Sequence, residues 1–171
     1  MKGVYVLIIE KSIGEELEIG KLGTIEFKSG FYAYVGSALS GLEQRIKRHL
    51  RREKRLHWHI DYLLASPGAD VREVIFKETS NREECMIARK MHEQLEHING
   101  FGCSDCRCES HLFFCNSQDR LLEVAYHSLI ATDTVQNSTV EGEVEVGVGE
   151  KRKVQQLHYI NCPGAKNSQK G

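Results

Sequence analysis

Two short aromatic segments and one basic stretch hold the side chains of this sequence that are best suited to chemistry. The segments are the tripeptides Gly3-Val4-Tyr5 and Tyr34-Val35-Gly36, and they are followed by Arg45 and His49, one helical turn apart. A phenol or an imidazole can move protons when its pKa is tuned toward neutrality, and a guanidinium offers a rigid fork of donors to a phosphate. These residue types in this order are hard to explain by packing alone, and they indicate proton transfer beside a phosphate group.

A carboxylate on the apolar face of a later helix completes the candidate set. Residues 80–98 begin with the capping-box pattern of Ser80 to Glu83, which predicts a helix. One stripe of this helix would hold Glu84, Ala88, Met91, Leu95 and Ile98. Burial of an unpaired charge is costly, so Glu84 should have a cationic partner or a metal ion, or else lie at the edge of the core and reach water.

The elements that must position these side chains follow from hydrophobic periodicity and turn residues. Apolar runs predict strands, and period-four apolar stripes predict helices. The predicted strands cover 4–9, Thr24–Phe27, 31–35 and 71–76, and the predicted helices cover 42–55, 80–98 and 119–131. Residues 57–64 suit either a helix or a strand that alternates His57, His59 and Asp61 onto one face. This order predicts a small α/β or α+β layer in which helices pack on a short sheet.

Length and composition predict one domain with an appended tail. The chain has 171 residues, of which 40% are hydrophobic and 27% are charged, as in a soluble globular protein. We expect a domain over residues 1–131, which includes a cysteine-rich segment at 100–116, and a polar, flexible tail over 132–171. The sequence has no apolar run of bilayer length and no signal-peptide pattern, which predicts a cytoplasmic protein without a membrane partner.

The charge distribution is more informative than the formal net charge of −1. Residues 45–55 include many basic residues but only one acidic residue, Glu53. Such a local patch can bind phosphates, although a solvated helix face has the same pattern. The side chains predicted to contact nucleic acid are Lys47, Arg48, Arg51, Arg52 and Arg55.

A cluster of soft ligands predicts a second type of site. The chain has 6 cysteines, which we expect to be reduced in the cytoplasm. The spacing of Cys103, Cys106, Cys108, His111 and Cys115 could form a tetrahedral, structural Zn²⁺ site, or these could be free thiols in a turn. His57, His59 and Asp61 are another possible ligand set, although histidines beside a tryptophan more often pack or contact substrate.

The two tripeptides, Arg45, His49 and Glu84 resemble the signature of the GIY-YIG nuclease superfamily over roughly the first hundred residues. The resemblance implies a three-stranded sheet flanked by helices and a Mg²⁺- or Mn²⁺-dependent endonuclease with no small-molecule cofactor. Glu84 would hold the metal ion, Tyr5 would be the general base, and Arg45 would stabilise the pentavalent phosphorus. Tyr34 matches the start of the second tripeptide, and His49 matches the residue one turn after the arginine.

Two further stretches resemble a small, functionally unassigned branch of this superfamily. They are Trp58 to Leu63, and Gly100 to Phe113 with its cysteines. Some members of that branch are fused to a DNA-repair glycosylase, which implies DNA as the partner, in the repair or processing of branched or damaged DNA. The linker between the tripeptides is longer than in the family and could insert an extra strand at Thr24–Phe27.

Two other functions remain open from the residues themselves. A non-catalytic nucleic-acid-binding module would use the basic stretch and would show salt-sensitive binding without metal-dependent cutting. A zinc-stabilised or thiol-based regulatory domain would depend on the cysteine-rich segment and would be indifferent to changes at Tyr5 and Glu84.

Overall fold

The structure, a computed structural model, describes residues 1–136, 144–146, 150–152 and 157–161. The strands are β1 (Gly3–Lys11), β2 (Glu15–Glu18), β3 (Thr24–Phe27), β4 (Gly30–Ala38), β5 (Ala69–Glu78), β6 (Glu96–His97), β7 (Leu112–Cys115), β8 (Val144–Val146), β9 (Glu150–Arg152) and β10 (Leu157–Asn161). The helices are α1 (Leu42–Leu50), α2 (His59–Leu64), α3 (Glu84–His92) and α4 (Gln118–Gln136), with a 3₁₀ turn at Gly20–Leu22.

The main sheet is antiparallel and has the order β10-β5-β1-β4-β7-β6. The predicted α+β class is therefore confirmed, but the predicted three-stranded sheet is wrong, because five of these strands precede residue 116. The added strands β6 and β7 come from the region after α3, where sequence periodicity gave no strand signal. Strands β2–β3 and β8–β9 form separate two-stranded sheets.

Strand β1 lies in the centre of the sheet and is buried on both faces, which explains its continuous apolar run. Successive side chains of a strand point to opposite faces. Val4, Val6 and Ile8 belong to one core cluster, which includes residues of α3 and α4. Tyr5 and Leu7 belong to the other cluster, together with residues of α1 and α2. The strand therefore joins two hydrophobic layers, and the candidate site lies on the side of Tyr5.

The first predicted helix is shorter than expected, because α1 ends at Leu50 rather than residue 55. The last turn of a helix leaves carbonyl groups without helical partners. Lys54 turns back and donates to the carbonyls of Arg48 at 3.2 Å and His49 at 2.6 Å, which caps the helix. The basic stretch is consequently split between a helix, which ends at Leu50, and an irregular segment that contains Arg52.

Other boundaries also differ from the predictions. Strand β4 continues through Gly36 to Ala38, because Gly36 pairs with Tyr5 of β1. Strand β3 is confirmed, but it pairs with β2, which lies in the segment predicted as a plain connection.

Helix α3 begins at Glu84 and ends at His92, so the predicted capping box at Ser80 is wrong. The Glu83 carboxylate instead lies 2.5 Å from the buried Nζ of Lys77. Residues 57–64 contain a helix, α2.

The predicted division at residues 131 and 132 stays a prediction. Helix α4 continues to Gln136, and β10 pairs with β5 at one edge of the main sheet. The intervening stretches and residues 162–171 lie outside the described residues, so the predicted flexibility of the tail is untested. Among the residues that are described, no helix is both long and apolar enough to cross a membrane. A cytoplasmic location also stays a prediction.

Candidate functional site

A cavity of about 510 Å³ lies beside the paired tripeptides and brings together side chains from separate elements. Its wall includes Tyr5 of β1, Tyr34 of β4, Arg45 of α1 and Glu84 of α3. The fifth predicted site residue, His49, is 2% exposed and does not line the cavity. The structure therefore gathers four of the five residues at one surface and places the fifth behind it.

Tyr5 and His49 form a buried hydrogen-bonded pair. The Tyr5 hydroxyl lies 2.7 Å from Nε2 of His49. Burial lowers the pKa of His49 to about 3, with a further contribution from the charge of Lys54, so the imidazole is neutral. Burial also raises the pKa of Tyr5, although Arg45 opposes this shift. Both groups are therefore uncharged at neutral pH, and the direction of their hydrogen bond depends on the tautomer of His49.

Tyr34 is placed by aromatic neighbours. Its ring meets the rings of His49 and Phe101 edge to face, each at a centroid distance of 6.2 Å. Burial raises the pKa of the Tyr34 phenol, and the nearby Tyr5 and Glu84 raise it further. Tyr34 therefore offers a neutral hydroxyl to the cavity.

The guanidinium of Arg45 is held over the cavity by one backbone contact and one ring. Nη1 of Arg45 donates to the carbonyl of Ser37 at 3.2 Å. Its central carbon lies 4.7 Å from the centre of the Trp58 ring, which also lines the cavity. A guanidinium has five N–H donors, so most of them remain for an anion in the cavity.

Glu84 contributes a carboxylate to the cavity wall, and this carboxylate is held from two sides. Ser37 donates its hydroxyl hydrogen bond to Oε2 of Glu84. Nδ1 of His111 lies 2.8 Å from Oε1 of Glu84. Burial would raise the pKa of this carboxyl, but the contacts with His111 and Ser37 and the charge of Arg45 outweigh it and lower the pKa. Glu84 is therefore ionised and has a cationic or polar partner, as its position on the apolar face required.

The predicted cysteine cluster is only partly right. Ligand atoms of Cys85, Cys106, Cys108 and His111 all lie within 4.8 Å of one another and could hold a metal ion. We call these four residues the thiol cluster. Cys103 and Cys115 are outside it among the described residues. The thiol of Cys103 donates to the Phe101 carbonyl at 3.3 Å. Cys115 lies at the end of β7, where it pairs with Phe31 of β4.

Cys85 is the ligand that sequence reasoning missed, because it lies far along the chain from the other three. It follows Glu84 directly on α3. A cysteine next to the one carboxylate of an apolar helix face was the available signal. All the described cysteines are free thiols.

The alternative ligand set of His57, His59 and Asp61 does not converge on one point. Nδ1 of His59 accepts the backbone N–H of Gly102 at 2.9 Å, which attaches the cysteine-rich loop to α2. Asp61 is fully buried and accepts two bonds of 2.8 Å from the guanidinium of Arg48. These residues position the cavity wall.

The basic stretch divides into structural and exposed side chains. Arg48 pairs with Asp61 and lies 4.3 Å from the Trp58 ring centre, so it supports the wall. Lys47 pairs with Glu43, and the largely exposed Arg52 pairs with Asp70. Arg51 and Arg55 are exposed. The exposed members remain available for phosphates, and their predicted role is untested.

A second group of possible metal ligands consists of His92, His97 and Glu109. Nε2 of His92 and Nε2 of His97 lie 3.3 Å and 3.6 Å from a carboxylate oxygen of Glu109. Glu109 is 63% exposed, and exposed groups of this kind are common without an ion.

A family model for a domain of unknown function, DUF123, matches residues 4–133. The chain is a member of the DUF123 family. The match contains both tripeptides except Gly3, every residue of the thiol cluster and every residue that lines the cavity. No curated protein and no solved structure matches the sequence. Membership of the DUF123 family therefore places the candidate site inside the shared domain and leaves its chemistry as a proposal.

Proposed function

We propose that this DUF123-family chain is a divalent-metal-dependent endonuclease that hydrolyses phosphodiester bonds in DNA. The observation that supports this function is the convergence of Tyr5, Tyr34, Arg45 and Glu84 on one cavity. Their resemblance to the GIY-YIG signature adds to it. Damaged or branched DNA is the substrate class that the resemblance favours.

Glu84 is the residue that would hold a Mg²⁺ or Mn²⁺ ion. Hard cations are often bound by one or two carboxylates, with water and substrate phosphate as the other ligands. His111 and Ser37 each occupy one oxygen of Glu84, and a carboxylate has about four lone-pair positions, so capacity remains. When bound, the ion would supply charge stabilisation at the phosphate oxygens.

Tyr5 and His49 form a proton relay in this proposal. Burial raises the pKa of Tyr5, so its hydroxyl is protonated and is not a base by itself. It can take a proton from water only if its own proton moves to Nε2 of His49, 2.7 Å away, in the same step. The hydroxide attacks phosphorus and the bond to the leaving oxygen breaks. Because burial disfavours the cationic form of His49, the proton returns through Tyr5 and protonates the leaving oxygen.

Arg45 binds the phosphate and stabilises the charge that develops on it. Its contacts with Ser37 and Trp58 fix the guanidinium before substrate arrives, so little reorganisation is needed during reaction. The exposed Arg51 and Arg55 would bind neighbouring phosphates and make binding sensitive to salt.

The test is cleavage of a panel of labelled duplex, nicked, flapped and branched DNA with Mg²⁺ or Mn²⁺. Glu84→Gln keeps the size and hydrogen-bonding capacity of the side chain but removes its charge. Loss of one preorganised electrostatic group usually lowers the rate by about 10²–10³-fold, and we expect that loss here. The control is Glu78→Gln, an exposed carboxylate outside the cavity, which should cut like the wild type.

The other outcomes overturn the proposal in distinct ways. Equal cutting by the wild type and Glu84→Gln would indicate a contaminant. Binding of DNA without cutting by any form would favour a non-catalytic nucleic-acid-binding module.

We also propose that the thiol cluster holds a structural Zn²⁺ ion. Thiolate and imidazole ligands suit zinc, and Zn–S bonds of about 2.3 Å place tetrahedral ligands about 3.8 Å apart. The ligand atoms already lie within 4.8 Å of one another, so small movements complete the site. Zinc at one equivalent per chain in protein purified without added metal is the expected result.

A further inference from the structure

His111 lies between the thiol cluster and the cavity, and its two ring nitrogens face different groups. Nε2 lies 3.5 Å from the thiol of Cys106 and 3.9 Å from that of Cys85. Nδ1 lies 2.8 Å from Oε1 of Glu84. We propose that His111 couples the metal ion of the thiol cluster to Glu84, so that this ion positions the carboxylate of the cavity. The inference rests on the proposed function for what Glu84 does there.

The chemical reason is the behaviour of a metal-bound imidazole. A histidine that binds a metal through one nitrogen almost always donates the N–H of the other to a carboxylate, a carbonyl or water. This bond fixes the tautomer and the ring orientation and makes the ligand more basic. With a metal on Nε2, the proton of His111 would lie on Nδ1, 2.8 Å from Oε1 of Glu84, and the carboxylate would be the outer partner of the metal site.

Backbone hydrogen bonds on both sides of His111 fix its position. The N–H of Val35 donates to the carbonyl of His111 at 3.0 Å, and the N–H of His111 donates to the carbonyl of Phe101 at 2.8 Å. Its side chain is almost fully buried. Movement of the imidazole is therefore restricted, and a change at one nitrogen must reach the group at the other.

Two covalent connections strengthen the coupling. Glu84 and Cys85 are consecutive residues at the start of α3, so a metal that draws in Cys85 also fixes the helical turn that carries the carboxylate. Gly102 and Asp105 line the cavity, and Cys106 follows directly. The loop that supplies the thiols is thus part of the cavity wall, and a metal ion in the cluster would hold that wall in place.

The experiment measures metal affinity of the thiol cluster and does not use cleavage. Co²⁺ bound by thiolates gives a ligand-to-metal charge-transfer absorption, which a metal bound only by histidine and carboxylate does not. Titration with Co²⁺, followed by displacement with Zn²⁺, gives the zinc affinity of the cluster in the whole chain. The variants are Glu84→Ala, which removes the partner of His111, and Glu84→Gln, whose amide oxygen can still accept from Nδ1–H.

We expect Glu84→Ala to weaken zinc binding by about 10- to 100-fold, the usual cost of losing an outer carboxylate partner. The zinc affinity of Glu84→Gln should lie between those of Glu84→Ala and the wild type. This variant tests the coupling if the alanine variant fails to fold. The control is Glu109→Ala, which removes a carboxylate next to Cys108 whose described contacts are with His92 and His97. This change should leave the affinity within about 3-fold, because an exposed charge is screened.

Equal zinc affinity in the wild type and Glu84→Ala would overturn the coupling, as would an equal loss in Glu109→Ala or the absence of the charge-transfer absorption in the wild type. These results are separable from a failure of the nuclease proposal. A zinc effect of Glu84→Ala without any DNA cleavage would keep the coupling and reject the nuclease, whereas cleavage without the zinc effect would do the reverse.

Discussion

The buried pair of Tyr5 and His49 predicts a specific loss of stability in mild acid. His49 is 2% exposed, and burial lowers its pKa from 6.5 to about 3. In the unfolded chain the same imidazole takes up a proton below about pH 6.5. Unfolding therefore binds a proton between these two values, and the free energy of unfolding must fall as the pH falls through that window.

The size of the effect follows from the shift. Each pH unit below 6.5 costs about 1.4 kcal/mol until the pH reaches the folded-state pKa of about 3. The part due to His49 is negligible at pH 7 and amounts to about 2 kcal/mol at pH 5. Above pH 6.5 the imidazole is neutral in both states, so its contribution to stability is fully retained there.

The assay compares urea unfolding of the wild type and His49→Gln at pH 7 and at pH 5. Glutamine can accept the Tyr5 hydrogen bond but does not titrate, so the variant should lose about 2 kcal/mol less than the wild type between the two pH values. The control is His127→Gln, an exposed histidine on α4, which should follow the wild type. Parallel losses in the wild type and His49→Gln would refute the claim that His49 is buried in its neutral form.

Two further substitutions test how the site is built. Gly36→Ala would place a methyl carbon 2.4 Å from Cζ of Tyr5, so we expect a loss of about 1–3 kcal/mol in thermal unfolding. Most of that loss should disappear in a Tyr5→Leu background, and an equal loss in both backgrounds would reject the clash. Arg48→Lys removes the paired donors to the buried Asp61 and should cost about 1.5–3 kcal/mol in urea unfolding. Arg51→Lys, at an exposed position, is its control and should change stability by less than about 0.5 kcal/mol.

The strands and helices with a strong apolar pattern could be predicted from the sequence. Strand β1 has a continuous apolar run because it is buried on both faces, and a short β-branched run of this kind predicts a buried strand. The end of α1 could not be predicted in the same way. It depends on Lys54 reaching back to the last carbonyls, and a basic residue has the same sequence pattern in a helix and in a cap.

The thiol cluster shows the limit of spacing arguments for metal sites. Cysteines that are close in sequence suggest a compact metal-binding motif, and Cys103 fits the ligand spacing of such a motif as well as Cys106 does. The structure excludes Cys103 from the cluster and includes Cys85 of α3, which β6 separates from the loop in chain order. Which thiols converge is decided by packing of the loop against α3, and sequence spacing carries no information on that packing.

The pairing of β1 with β4 explains why the second tripeptide ends in glycine. Tyr5 lies directly opposite Gly36 in the antiparallel register. Paired residues share a face with their side chains only about 4.5–5.5 Å apart, so the Tyr5 ring can cross the neighbouring strand only if that strand has no Cβ at the paired position. The ring does pass over Gly36, and its hydroxyl then reaches His49 on α1. The glycine of the second tripeptide is therefore the steric complement of the tyrosine of the first. Neither tripeptide has this meaning alone, because it arises only from the register that joins them.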